Sequence, residues 1–304
     1  MTTLRGGLVA LSVSDAPDRA KLGFPSREID RALFSICTAL VRTGAKIVYG
    51  GNLDPNGLTF GMFRHLAGAY AASREAPFIH VIPEPIFRET SFEGLSSALR
   101  EGVAVVETWA HLKNDLYRLR AVDDGLRIGE GSSRQRITNS IQFERWLDAI
   151  EVVECTSAYS AARKAMTEMV DARVILGGKM GLLDCPGDAY QGAMPGIIEE
   201  TILTLEAGIP CFPLGAFGGA ARDVAIALGL LDSSKHVPRG KQLPTYASSL
   251  KRVSELRDNI PLEVRPALIA LADDDRGESM AYSLVEVLCY WLAEKRKIET
   301  PAGE

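Results

Sequence analysis

The chain has 304 residues, 46% of them hydrophobic, and a formal net charge of -5, which is apolar material enough for one large core or two smaller ones. The acidic balance argues against a broad nucleic-acid footprint. Cys37, Cys155, Cys185, Cys211 and Cys289 are scattered with no Cys-x-x-Cys pair, so neither a disulfide framework nor a metal site is expected, and the thiols read as those of a reduced, cytoplasmic protein.

Met1–Ala10 carries one basic residue and leads straight into a strand pattern, which predicts no export signal. Gly7–Val13 reads as a buried first strand and Ser14–Asp18 as a polar turn. Ser26 opens a helix whose apolar positions Ile29, Leu33, Ile36 and Leu40 keep helical spacing until Gly44. A second strand, Ala45–Tyr49, ends in Gly50-Gly51; a helix follows over Leu58–Ser73 and a third strand over Phe78–Ile82. This β-α-β-α-β order predicts an α/β fold, a doubly wound parallel sheet with helices on both faces. Within Pro83–Glu107 only Gly102–Glu107 reads as a strand, and Asp123–Arg136, rich in Gly, Ser, Asp and Arg, reads as a mobile loop.

Helices over Asn139–Ile150 and Ser157–Val170 precede a strand, Ala172–Leu176, that ends in Gly177-Gly178. A polar excursion, Lys179–Met194, leads to Pro195-Gly196 and a helix closed by Gly208, the usual proline-in, glycine-out asymmetry. Cys211–Leu214 is the last strand, and Gly218-Gly219 introduces a helix over Ala220–Leu230. Two further helices are expected, Leu262–Asp273 and Ser279–Lys297; the second aligns Leu284, Leu288, Trp291 and Leu292 on a stripe that either covers the sheet or forms a dimer seam. The pattern divides the chain into an α/β domain, 1–235, with an insertion around 83–150, and a helical C-terminal appendage, 236–304. No segment is long and uncharged enough to span a bilayer.

In open parallel sheets a ligand lies beyond the carboxyl ends of the strands. Glycine pairs there let it approach bare backbone, and the helix starts offer unpaired N–H groups to an anion. Gly50, Gly51, Gly177, Gly178, Gly196, Gly218 and Gly219 are therefore candidate ligand-binding residues, with the hydroxyls of Ser12 and Ser14 beside them. Any single pair reads more simply as a tight turn, and either serine as a cap. Glu199 and Glu200 stand in the first turns of the helix after Pro195, and Arg163-Lys164 bring cations on the preceding helix. His80 and His111 are the available acids, His80 better placed for a core position inside its strand.

The run Arg163-Lys164-Ala165-Met166, then Ala172–Leu176, then Pro195-Gly196-Ile197-Ile198-Glu199-Glu200 resembles the Lonely Guy phosphoribohydrolases, and Gly50-Gly51 looks like their paired glycine after the second strand. The wider resemblance, over about Leu8–Leu230, is to the SLOG superfamily of Rossmann-like domains, which includes DprA and domains that sense NAD-derived or ADP-ribose-like ligands. It implies a catalytic role for Glu200, on the ribose, and for Arg163. It also implies a homodimer. The chain departs from the enzymes' phosphate loop: the excursion Lys179–Met194 precedes a single Pro-Gly, and no Gly-Thr follows. Two functions follow. One is a cytosolic sensor or effector domain that holds an NAD-derived or ADP-ribose-like nucleotide at the sheet edge. The alternative is an N-glycosidic hydrolase that releases a base from a nucleotide using Glu200 and Arg163. A third, plainer reading is an oligomeric structural protein with a vestigial pocket. None calls for a metal, a resident cofactor, nucleic acid or a membrane.

Overall fold

Six short runs, five of them carrying β-branched residues, become parallel strands because each is joined to the next by a connection long enough for a helix. The computed structural model describes residues 4–70, 75–102 and 105–299. In chain order the elements are β1 Leu8–Ser14, α1 Glu28–Arg42, β2 Lys46–Gly50, α2 Leu58–Tyr70, β3 Phe78–Pro83, α3 Glu84–Arg88, α4 Phe92–Glu101, β4 Val106–Leu112, β5 Asp115–Val122, β6 Gly125–Ile128, β7 Gln135–Ile137, α5 Ser140–Asp148 and α6 Cys155–Met169. They continue with β8 Ala172–Gly177, α7 Gly196–Glu206, β9 Cys211–Leu214, α8 Gly219–Ala227, α9 Pro244–Glu255, α10 Arg265–Ala272 and α11 Gly277–Glu299. The helix expected to run to Ser73 is seen to Tyr70, its last three residues lying outside the described ones. Of the strand expected at Gly102–Glu107, residues 103 and 104 lie outside the described ones and the carbonyl of Gly102 takes the amides of Val105 and Val106 in a turn, so the strand begins only at Val106 and runs on to Leu112.

The chain divides into two compact units, Met1–Ala45 with Met169–Glu304, and Lys46–Glu168. In the first, β8 lies between β1 and β9, all parallel, with Leu11 opposite Val174 and Ile175 opposite Pro213. The buried face of α1, Ile29, Leu33, Ile36 and Leu40, is the periodic stripe read from the sequence. Ser26 does not cap it: the carbonyl of Pro25 takes the amide of Glu28, and no side chain caps the helix. Downstream, α9 packs on α7 and α8, α10 on β9 and α11 on α1. Leu284, Leu288 and Trp291 are buried, and the Trp291 ring lies 5.5 Å from that of Phe212 in β9, so the stripe on α11 covers its own sheet. The helix α9 has no counterpart among the expected elements: only Tyr246, Ser249 and Val253 are buried along it, too few apolar positions to show a period.

In the second unit β2, β3 and β4 are parallel, and β4, β5, β6 and β7 continue antiparallel. The segment Asp123–Arg136, expected to be a mobile loop, forms most of the β6–β7 hairpin. Its composition is polar because only one face is buried: Leu126 and Ile128, with Ile137 just beyond, join a core with Phe87, Phe143 and Leu147. Two short helices, α3 and α4, occupy the stretch after Pro83, with the Ser91 hydroxyl accepting the Gly94 amide to start α4.

Removing the Trp291 side chain should cost about 3–5 kcal/mol, the range for an emptied aromatic core site. Urea unfolding of Trp291→Ala checks this; an unchanged midpoint would show that α11 lies on the sheet without stabilising it.

Candidate functional site

At the carboxyl ends of β1, β8 and β9 the loops converge within the first unit. The amide of Gly178 donates to the carbonyl of Ser14 at 3.0 Å, and the amide of Ala220 to the carbonyl of Gly178 at 3.2 Å. Ile197, in the first turn of α7, lies so close to Gly178 that a Cβ there would meet its Cδ1 at 2.6 Å. Gly219 has φ of 69°, and a Cβ on it would fall 2.5 Å from the carbonyl carbon of Gly177, so only glycine permits the two chains to touch. Ser14, Gly177, Gly178, Gly196, Gly218 and Gly219 thus share one rim. Of these, Ser14 and Gly196 are half-buried and the others buried.

The two helix starts on this rim are not equivalent. That of α8 already holds an anion from the chain: Asp18 Oδ1 accepts the amide of Gly219 at 2.7 Å, and a Cβ on Gly218 would meet the same oxygen at 2.5 Å. The buried Arg239 guanidinium stands 3.9 Å from Asp18 Oδ2 and donates to both Asp223 oxygens, at 2.5 and 2.8 Å. The Tyr246 hydroxyl donates to Asp223 at 2.6 Å, and burial, reinforced by that carboxylate, pushes the phenol well above its ordinary range. The start of α7, by contrast, has no side-chain cap. The Pro195 carbonyl takes the amides of Ile198 and Glu199, while those of Gly196 and Ile197 make no hydrogen bond among the described residues.

The excursion before α7 is ordered around Asp188, whose carboxylate accepts the amides of Met180 and Leu182 at 3.0 and 2.8 Å. Burial raises this carboxyl despite both bonds. Leu182 bridges to Gln242, and Tyr190 bonds Thr245 at the start of α9.

Ser12 and Glu200 meet beneath the rim, on a buried arginine. Arg173, in β8, donates to the Ser12 hydroxyl at 2.7 Å and to Thr204 at 2.8 Å, and its Nη1 lies 3.5 Å from Glu200 Oε2. A guanidinium only 1% exposed needs such partners. Nothing in the sequence marks Asp18, Asp223, Arg239 or Tyr246 as a set, since Asp18 meets Gly219 from 201 positions away and Arg239 from farther still.

Gly50, Gly51 and Arg163 belong to the second unit. A Cβ on Gly50 would strike the Met166 methyl at 2.6 Å, and one on Gly51 the Tyr49 ring and the Thr59 hydroxyl. Arg163 is half-buried, its guanidinium 5.5 Å from the Tyr159 ring centre. His80 is fully buried in β3, with Nε2 donating to the Gly51 carbonyl at 3.0 Å, and burial lowers its pKa to about 4. His111, in β4, is also buried and lowered by desolvation. Both shifts favour the neutral imidazole over the imidazolium.

Parallel strands whose glycine-ended loops meet helix starts at one edge define a Rossmann-like, nucleotide-related domain. Residues 3–258 match the family model described as SLOG cluster2, and the chain belongs to that family. Helices α10 and α11 lie beyond the matched residues. No curated protein and no solved structure matches the chain. Among the described residues no helix is long and apolar enough to cross a membrane.

Because His80 is kept neutral in the fold, the unfolded chain takes up its proton first as pH falls. Its contribution is therefore complete above about pH 6.5 and is lost progressively toward pH 4. Denaturation from pH 7 to 4 should show this loss, and His80→Gln should flatten that part of the profile; a variant curve parallel to the parent's would assign the acid sensitivity elsewhere.

Proposed function

We propose that the chain binds an NAD-derived or ADP-ribose-like nucleotide at the carboxyl edge of its parallel strands and acts as a cytoplasmic sensor or effector domain. The observation that carries this reading is the uncapped start of α7. It presents the amides of Gly196 and Ile197 and the positive end of the helix dipole on the same rim as Ser14 and Gly178. A phosphate is the natural occupant of such a position. On this reading Gly177, Gly178, Gly218 and Gly219 shape the floor by allowing close backbone contact. Gly50 and Gly51 are carried from the strand-end glycine pattern and the resemblance, Arg163 and a homodimer from the resemblance, and the absence of a nucleic-acid partner from the acidic charge balance.

The hydrolase alternative asks Glu200 to reach a ribose with Arg163 beside it. Glu200 instead has its carboxylate against Arg173, which favours a positioning role, so binding without turnover is put first.

Gly196→Pro tests the binding reading with little disturbance to the helix. Proline suits the first helical position, and Pro195, at φ -55° and ψ 131°, already has the extended backbone that precedes one. The substitution removes one donor, so ADP-ribose should bind more weakly by about 1.5–3 kcal/mol, on the order of ten- to a hundredfold. Calorimetry on parent and variant measures it, and equal affinities would remove α7 from the site. Incubating the parent with NAD, ADP-ribose and nucleoside monophosphates should release no free base by chromatography. Base released by the parent and not by Glu200→Gln would establish the hydrolase instead.

A further inference from the structure

The antiparallel part of the Lys46–Glu168 unit carries a row of guanidinium groups. Arg120 of β5 stands directly opposite Arg127 of β6, which stands directly opposite Arg136 of β7. Like charges facing each other across strands destabilise a sheet. The buried core set on these strands, Leu119, Leu126, Ile128 and Ile137, alternates with the arginines, so the row lies on the opposite face. Arg118 shares that face and is held by Glu107 and by Glu130, with its guanidinium 5.6 Å from the Trp109 ring. Arg136 is held by Asp124. Arg120, Arg127 and Arg134 have no carboxylate partner among the described residues.

Arg118, Arg120, Arg127 and Arg134 line one depression of about 120 Å³, with Glu130 the one carboxylate among its lining residues. Four positive groups against one negative leave a formal +3 on its wall. Gly129 and Gly131 complete the wall, both at positive φ, 81° and 57°, in a turn that a side chain would strain.

We infer that this depression is a binding site for a phosphate-bearing anion of the oligophosphate type. A planar guanidinium offers paired donors that match phosphate oxygens, and several oxygens on linked phosphates accept from several forks at once. A single carboxylate fills only one fork. The small hollow and the acidic chain as a whole favour a compact anion over an extended nucleic-acid strand. None of its residues belongs to the rim at β1, β8 and β9, and the inference does not rest on what binds there.

Titration calorimetry with sodium tripolyphosphate at low salt, on the full chain and on the double variant Arg120→Gln/Arg127→Gln, tests it. The parent should bind, the variant should bind at least about tenfold more weakly, and the parent's affinity should fall as salt rises. Without ligand, the variant should melt no lower than the parent, because the substitution relieves the opposed charges. No binding heat from the parent, or equal affinity in the variant, overturns the proposal. So does a lower melting temperature in the variant, which would assign the arginines to holding the sheet. A short single-stranded oligonucleotide that binds through Arg127 where tripolyphosphate does not would overturn it in favour of a strand-binding surface.

Discussion

The contact between Asp18 and the amide of Gly219 governs the arrangement of the parallel strands around which the candidate site is built. A buried carboxylate is costly unless it is paired, and here the first amide of α8 and the Arg239 guanidinium share it. The contact requires α8 to start against the end of β8, which in turn requires glycine at 177 and 219, where the two backbones touch. Arg239 extends the same network to Asp223 and Tyr246, joining the loop after β1, the helix α8 and the helix α9. Two internal carboxylates bridged by Arg239 thus tie three elements together, and Asp18 also occupies the helix start that a ligand phosphate would otherwise claim.

Arg173 does the corresponding work for α7. Its bonds to Ser12 and Thr204, and its approach to Glu200, connect two strands to the second and third turns of that helix. The helix is therefore held by its middle while its first amides stay unengaged. A binding group presented from a rigidly seated element loses little entropy on meeting a ligand. Ser12 and Glu200 belong to this seat, which explains why residue types suited to contacting a ribose lie beneath the rim and not on it.

Most of the parallel strands were legible because buried strands of this kind are short apolar runs, and Cys211–Leu214 was read to the residue; β4, which carries Glu107, Thr108 and His111 among its apolar residues, was placed too early in the chain. Apolar periodicity likewise marked α1 and α11. The antiparallel hairpin was not legible: with one face solvated, Leu126 and Ile128 alternate with Gly125 and Arg127, and the eye reads a polar loop. Of the candidate site, the glycines were visible as types and their convergence at β8 as a topological expectation. Which helix start stays open depends on Asp18 meeting Gly219, a tertiary fact with no local signature. Arg173 was hidden for a related reason, since a single charge inside an apolar run such as Ala172–Leu176 does not announce its partners.

The two terminal strands bear on a different matter, the tendency of unpaired strand edges to recruit other chains. Among the described residues β7 has a neighbour only in β6 and β9 only in β8. β9 is fully buried, packs against α10, and contains Pro213, which lacks the amide that an incoming strand would need. β7 has no such cover in its own residues; it is three residues long and exposes Gln135 and Arg136. Its shortness and its guanidinium charge, the same charge that faces Arg127, make that margin a poor template for cross-β growth.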